Sequence, residues 1–228
     1  MYGKLILASA AAIVIAGCAA PAPTVDTSAE AEMTFDGLYP VRNSRADEAW
    51  ARPDVDLTPF SKIMLQGVGV EYRPGGESSR SFNARSRGGP YEVTEAQKAR
   101  FEETMREAFL EELGKSKHFT IVTEPGPDVL LIRGALLDVV SYVPPEPIGA
   151  RSDVYLSKVG EATLVLELRD SITEAILARA IDRRAAENLG SSLQYSSRVF
   201  NATEIKRLAR TWGSLLRERL DEYGETRE

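Results

Sequence analysis

Few residues in this chain can carry chemistry of their own. The sequence holds one cysteine, Cys18, and one histidine, His118. A lone imidazole rules out a two-histidine zinc site, and no cysteine-histidine spacing typical of zinc is present. A nucleophile also needs a base held in place by a third group, and nothing near His118 in the sequence supplies one. His118 stands just ahead of a short apolar run and reads as a surface or helix-end residue. Glu167, Asp170 and Asp182 could be cast as an acid-base pair, but Arg169, Arg179, Arg183 and Arg184 lie among them. An ion-pair cluster is the plainer expectation, because structural networks shift carboxyl groups as readily as active sites do. No G-x-S-x-G, phosphate-binding loop or dinucleotide fingerprint occurs, and Gly67-x-Gly69 lacks both a third glycine and a following helix. The residues therefore predict no catalytic group, no cofactor and no metal. What remains is a basic loop, Arg73 to Pro90, with Arg73, Arg80, Arg85 and Arg87 against Glu77 alone, a local balance of +3. Such a patch can concentrate an anion on an otherwise acidic protein. In a bacterial envelope the anions would be lipid headgroups, lipopolysaccharide cores or peptidoglycan carboxylates. A solvated loop whose arginines only keep it soluble is the other reading.

The surroundings of Cys18 give its thiol a role. Leu5 to Ala16 is an unbroken run of 12 small and apolar residues behind Lys4, and it leads into Ile15-Ala16-Gly17-Cys18. A bilayer span needs ~20 apolar residues, whereas the core of an export signal needs ~7–15. The ending resembles the lipobox of bacterial lipoproteins, with isoleucine where leucine is commonest. That resemblance implies diacylglycerol on the Cys18 sulfur, cleavage before Cys18, and further acylation (palmitate among the acyl groups). Ala19, in place of the aspartate that retains many lipoproteins in the inner membrane, implies the periplasmic face of the outer membrane. The mature chain would contain no cysteine and hence no disulfide. Removing Lys4 moves the net charge from −6 to −7. An acidic balance argues against nucleic acid as a partner.

Behind Cys18, Ala19 to Met33 is small, polar and proline-bearing, and residues 18–34 read as a flexible tether. Fully extended it would reach ~50 Å. Phe35 to Phe60 mixes aromatics with Pro40, Pro53 and Pro59 and reads as an irregular arm wrapped on the domain surface. Lys62 to Tyr72 is a strand in which Gly67 and Gly69 allow a bulge. Thr94 and Gln97 form a capping box for a helix over Glu95–Leu113, with Phe101, Met105, Ala108, Phe109 and Leu113 on one face. Short strand chemistry returns at Phe119 to Val122, and Asp128 to Val143 is a long strand. Glu161 to Arg169 alternates cleanly, turns at Asp170 to Glu174, and returns along Ala175 to Ala186. Asn201 and Glu204 predict the start of a last helix striped by Ile205, Leu208, Trp212, Leu215, Leu216 and Leu220. Two amphipathic helices need one sheet face to bury against. The expected fold is an α+β two-layer sandwich, with a mainly antiparallel sheet of about five strands and both helices on one face. It forms a single domain over residues 35–228.

The runs PDVLLIRGALLDVVSYVPP (127–145), VGEATLVLELRDS (159–171) and LARAIDRRA (177–185) resemble the bacterial lipoprotein family known as domain of unknown function 3313. The likeness extends from about Phe35 to Tyr223. Its motifs are strand and turn patterns, and they imply no catalytic residue. At the level of architecture the chain is also similar to small periplasmic lipoprotein domains that serve envelope machines, although a fold does not fix a function. Two readings follow. One is a noncatalytic binding or assembly module, tied to the membrane by its lipid and partnered by an envelope protein complex or an anionic polymer. The other is a cell-wall hydrolase or other envelope enzyme, which requires a pocket gathering His118 or the Glu167 and Asp182 carboxylates beside an exposed nucleophile.

Overall fold

The computed structural model describes residues 21–73, 90–144, 154–187 and 192–225. In chain order the elements are β1 (Thr24–Val25), β2 (Tyr39–Arg42), β3 (Glu48–Ala51), β4 (Lys62–Tyr72), α1 (Glu95–Leu113), β5 (Thr120–Ile121), β6 (Val129–Ser141), β7 (Tyr155–Leu156), β8 (Lys158–Asp170), β9 (Ile176–Glu187), β10 (Gln194–Tyr195) and α2 (Arg198–Glu225). One eight-stranded sheet runs in the order β1-β2-β3-β9-β8-β6-β4-β5, and β7 pairs with β10 apart from it.

The α+β class is as the periodicity implies, but the sheet is larger than five strands and is mixed. β4 runs parallel to both β5 and β6, while β6, β8, β9, β3, β2 and β1 are joined antiparallel. The physical reason lies in the connection. β4 and β6 are linked through α1, and a helical crossover returns the chain in the same direction, as a tight hairpin cannot. The hairpin of β8 and β9 does turn where expected. Asp170 N donates to Ala175 O at 3.0 Å, and Glu174 takes the left-handed conformation with φ 55°.

The extra strands come from the region read as tether and arm. β3 adds to the edge of β9, with Trp50 opposite Arg179, and β2 adds to β3. Thr24 and Val25 pair with Arg42 and Val41, and Arg42 Nε donates to Asp26 at 2.7 Å. The segment 18–34 is thus fixed from Thr24 onward rather than free over its whole length. The aromatics of the arm do not all lie down either. Phe60 is buried, as is the aliphatic Leu38, but Phe35 stands 97% exposed on a turn closed by Leu38 N donating to Thr34 Oγ1 at 3.0 Å.

Both helices cover one sheet face. Met105 and Phe109 from α1, and Leu208 and Trp212 from α2, meet Leu136, Val159, Ala162 and Leu164 in one apolar cluster. A second cluster joins Leu113 and Leu220 to Ile63, Leu130, Ile132 and Phe119. The helices touch closely at Gly213, where an added Cβ would lie 2.9 Å from the Glu112 Cβ. α1 starts as expected, with the Thr94–Gln97 capping box formed on both sides. α2 begins earlier than Asn201: Phe200 N donates to the Ser197 hydroxyl at 3.1 Å, and Glu204 is buried in an ion pair with Arg207. Serine and asparagine cap equally well, so the sequence pattern alone does not choose between them.

Candidate functional site

The first half of α1 and the first turns of α2 diverge over the ends of β4, β6 and β8. Between them opens a cleft of about 870 Å³. Its floor is Val139, Val159 and Ala162, and its walls include Phe101, Ile205 and Leu208. Phe101 is placed by the helical spacing that also positions Met105, and Ile205 lies one turn before Leu208 on the α2 stripe. The Tyr72 ring meets Phe101 edge-on at 6.2 Å, and the Lys98 ammonium sits 5.1 Å above the Tyr72 ring. At the other end Tyr195 stacks edge-on with Tyr155 at 6.1 Å, both exposed, where β10 pairs with β7.

Four charged side chains line this cleft: Arg100, Glu103, Glu161 and Arg198. The two acids are already engaged. Glu103 receives both Arg106 nitrogens, at 3.1 and 2.6 Å. Glu161 receives Arg183 at 2.7 Å and Lys158 at 3.3 Å. Burial alone would raise the Glu161 carboxyl, but these two partners outweigh it and hold it below the ordinary value. Burial pushes the Tyr72 phenol well above its ordinary value, helped by the charges of Glu102 and Glu95. Its hydroxyl is buried and has no hydrogen-bond partner among the described residues.

The residues singled out by sequence are not brought together. Glu167 faces away from the helices, where Arg169 donates to it at 2.8 Å and Arg179 at 3.1 and 3.0 Å. Arg179 also binds Asp36 from the arm. Asp182 lies on the opposite, helix-covered face, opposite Leu164 in register, and its carboxylate accepts from Arg184 and from Trp212. Two carboxylates on opposite sides of a sheet cannot share one reacting group. Asp170 caps the β8–β9 turn, accepting from Ile172 N at 2.9 Å and Thr173 N at 2.7 Å; those backbone bonds keep its carboxyl below the ordinary value. His118 packs on Gly224 near the far end of α2, since an added Cβ on Gly224 would overlap it. From Gly224 to Ile205 is about 28 Å along the helix at 1.5 Å per residue, so His118 lies far from the cleft. Arg73 is held in a two-pronged pair with Asp138, its Nε donating at 2.6 Å. Cys18, Arg80, Arg85 and Arg87 lie outside the described residues.

Sequence reasoning missed the cleft. Phe101, Ile205 and Leu208 were legible as apolar stripe positions, but a stripe does not say where two helices part. Among the described residues no three His, Cys, Asp or Glu side chains gather as metal ligands, and no helix is long and apolar enough to cross a membrane.

No curated protein matches this chain. Among solved structures, it is similar to protein XCC0632 from Xanthomonas campestris, with 10% identity over 77% of this chain and 91% of that one, at a TM-score of 0.43. It is also similar to the PelC dodecamer from Paraburkholderia phytofirmans, with 12% identity over 74% and 94% of the two chains and a TM-score of 0.35. A third is a homolog of a neuraminyllactose-binding hemagglutinin from Helicobacter pylori, with 9% identity over 75% and 91% and a TM-score of 0.35. The model of one family matches residues 31–216, and the chain belongs to that family, the proteins of unknown function DUF3313.

Proposed function

We propose that this chain is a lipoprotein anchored through Cys18 to the periplasmic face of the outer membrane, and that it acts as a noncatalytic binding or assembly module of the cell envelope. The anchor rests on the apolar run Leu5 to Ala16 and the Ile15-Ala16-Gly17-Cys18 ending. With Thr24 fixed to the sheet, only the six steps from Cys18 remain as a leash, at most ~20 Å at ~3.3–3.6 Å each. On that leash the domain stays close to the lipid surface.

The observation that carries the noncatalytic reading is the lining of the cleft. None of His118, Glu167, Asp170 or Asp182 borders it, and its own two acids are engaged by basic side chains. Arginine-bound carboxylates are poor proton carriers at neutral pH, and the cleft offers no imidazole to replace them.

Envelope fractionation tests the anchor. The parent should sediment with the outer membrane through high-salt washing, and Cys18→Ser should be found unprocessed or soluble while still folded. A serine variant that stays quantitatively with the outer membrane through the same washes overturns the anchor. Incubating the purified protein with peptidoglycan tests the second half. Release of soluble fragments that grows with time and enzyme concentration would replace the binding module with a hydrolase.

A further inference from the structure

We propose that the cleft between α1 and α2 binds an anionic amphiphile: one acyl chain in the apolar trough, its carboxylate or phosphate head between Arg100 and Arg198. The proposal deepens the reading of the chain as a binding module and does not depend on lipidation of Cys18.

The apolar part follows from the walls. Val139, Val159, Phe101, Ile205 and Leu208 give a ligand no side-chain hydrogen bonds, whereas Thr94, Gln97, Ser141, Ser197 and Asn201 supply polar groups elsewhere in the lining. A sugar or peptide group set against those five apolar residues would lose its water without replacement, at a cost of a few kcal/mol for each unpaired group. An acyl chain loses nothing and gains by leaving water. The volume of about 870 Å³ lies within the range of ~300–1,000 Å³ common to small-molecule sites.

The charge follows from the rim. Glu103 and Glu161 are neutralised by Arg106, Arg183 and Lys158. Arg100 and Arg198 line the same cleft from the two helices, and neither has an ion-pair or hydrogen-bond partner for its guanidinium among the described residues. The cleft therefore presents two uncommitted guanidinium groups, each with a planar fork of donors suited to carboxylate or phosphate oxygens. A neutral apolar ligand would leave both unused. The Tyr72 hydroxyl, although without a partner among the described residues, is closed off behind the wall, so the head is assigned to the two guanidinium groups alone.

The test is calorimetric titration of the full chain carrying Cys18→Ser, purified without detergent. The probes are decanoate, decanol and decanoyl lysophosphatidic acid, all below their aggregation limits. Decanoate should bind at least about tenfold more tightly than decanol. Arg100→Gln combined with Arg198→Gln should erase that preference and leave decanol binding unchanged. Ala202→Trp, at an exposed position lining the cleft, should block all three probes by filling the trough. Stronger binding of the lysophosphatidic acid than of decanoate would identify a phospholipid-type head, and the reverse a free fatty acid. Either result supports the amphiphile site. Equal affinity for decanoate and decanol, no binding, or binding that survives Ala202→Trp overturns it. None of these outcomes alters where Cys18→Ser fractionates, so the anchor stands or falls separately.

Discussion

Trp212 Nε1 donates a 2.7 Å hydrogen bond to the Asp182 carboxylate, fastening α2 to β9 inside the protein rather than at its surface. Trp212 is 2% exposed and Asp182 7%. The indole fills the space between helix and sheet, and its N–H helps to satisfy a carboxylate that also receives Arg184. A buried aromatic with a polar handle requires such a partner.

Asp182→Leu should therefore cost about 2–3 kcal/mol, because it removes the acceptor of the indole N–H, of the Arg184 guanidinium and of the Asp47 backbone N–H. Trp212→Ala should cost more, about 3–5 kcal/mol, since it also empties the core. The double variant should lose less than the sum of the two, as expected for groups in direct contact. Urea unfolding of the four proteins measures all three quantities. Strict additivity would show that the bond contributes nothing beyond packing.

Beside Gly224, two glycines, Gly160 and Gly213, hold approaches too close for a Cβ. A Cβ on Gly160 would overlap the Val140 carbonyl oxygen across the β6–β8 pair, where backbone must move to admit it. On Gly213 it would lie 2.9 Å from the Glu112 Cβ, where α1 can shift. Gly160→Ala should be the more damaging, and each should fall in the overpacking range of about 1–3 kcal/mol. The order of the two unfolding midpoints is the readout.

Acid should unfold the protein through carboxylates held on the open sheet face and at β6. Burial would raise the Asp36 carboxyl, but the Thr34 hydroxyl and Arg179 more than offset it and keep it below 3.8. The Arg73 hydrogen bond, reinforced by its charge and by that of Arg183, does the same for Asp138. Because these pKa values are lower folded than unfolded, the unfolded chain binds protons first as pH falls. Their stabilisation is complete above the unfolded value and is lost below it as pH drops toward the folded values. The urea midpoint should decline below about pH 5, and Asp36→Asn with Asp138→Asn should flatten that decline. An unchanged slope in the double variant would assign the acid sensitivity elsewhere.

How much of this was legible depended on the range of the interaction. The β8–β9 hairpin was readable because alternation at Ala162, Leu164, Leu166 and Leu168 and the turn at Asp170 to Glu174 are local. So was α1, whose cap lies three residues from its partner. β1, β2 and β3 were not, since their pairing partners lie on β9 and on one another, and strands of two to four residues, β2 among them with Pro40, carry no period to detect. The parallel β4–β6 pair depends on how a chain returns after a helix, which is a matter of topology rather than pattern. The cleft depends on two helices parting over the ends of three strands, and no single stretch records that.

Tyr72 is the position where removing a group should help rather than harm. Its hydroxyl is buried without a hydrogen-bond partner among the described residues, while its ring is well placed against Phe101 and beneath Lys98. A desolvated hydroxyl that recovers no bond costs about 1–3 kcal/mol, whereas the ring contacts survive its deletion. Tyr72→Phe should leave stability unchanged or raise it by up to about 1 kcal/mol. Tyr72→Ala should lower it by about 3 kcal/mol through loss of the ring. A clear loss of stability in Tyr72→Phe would mean that the hydroxyl is satisfied in solution, and the unpaired donor would drop out of the account of the cleft.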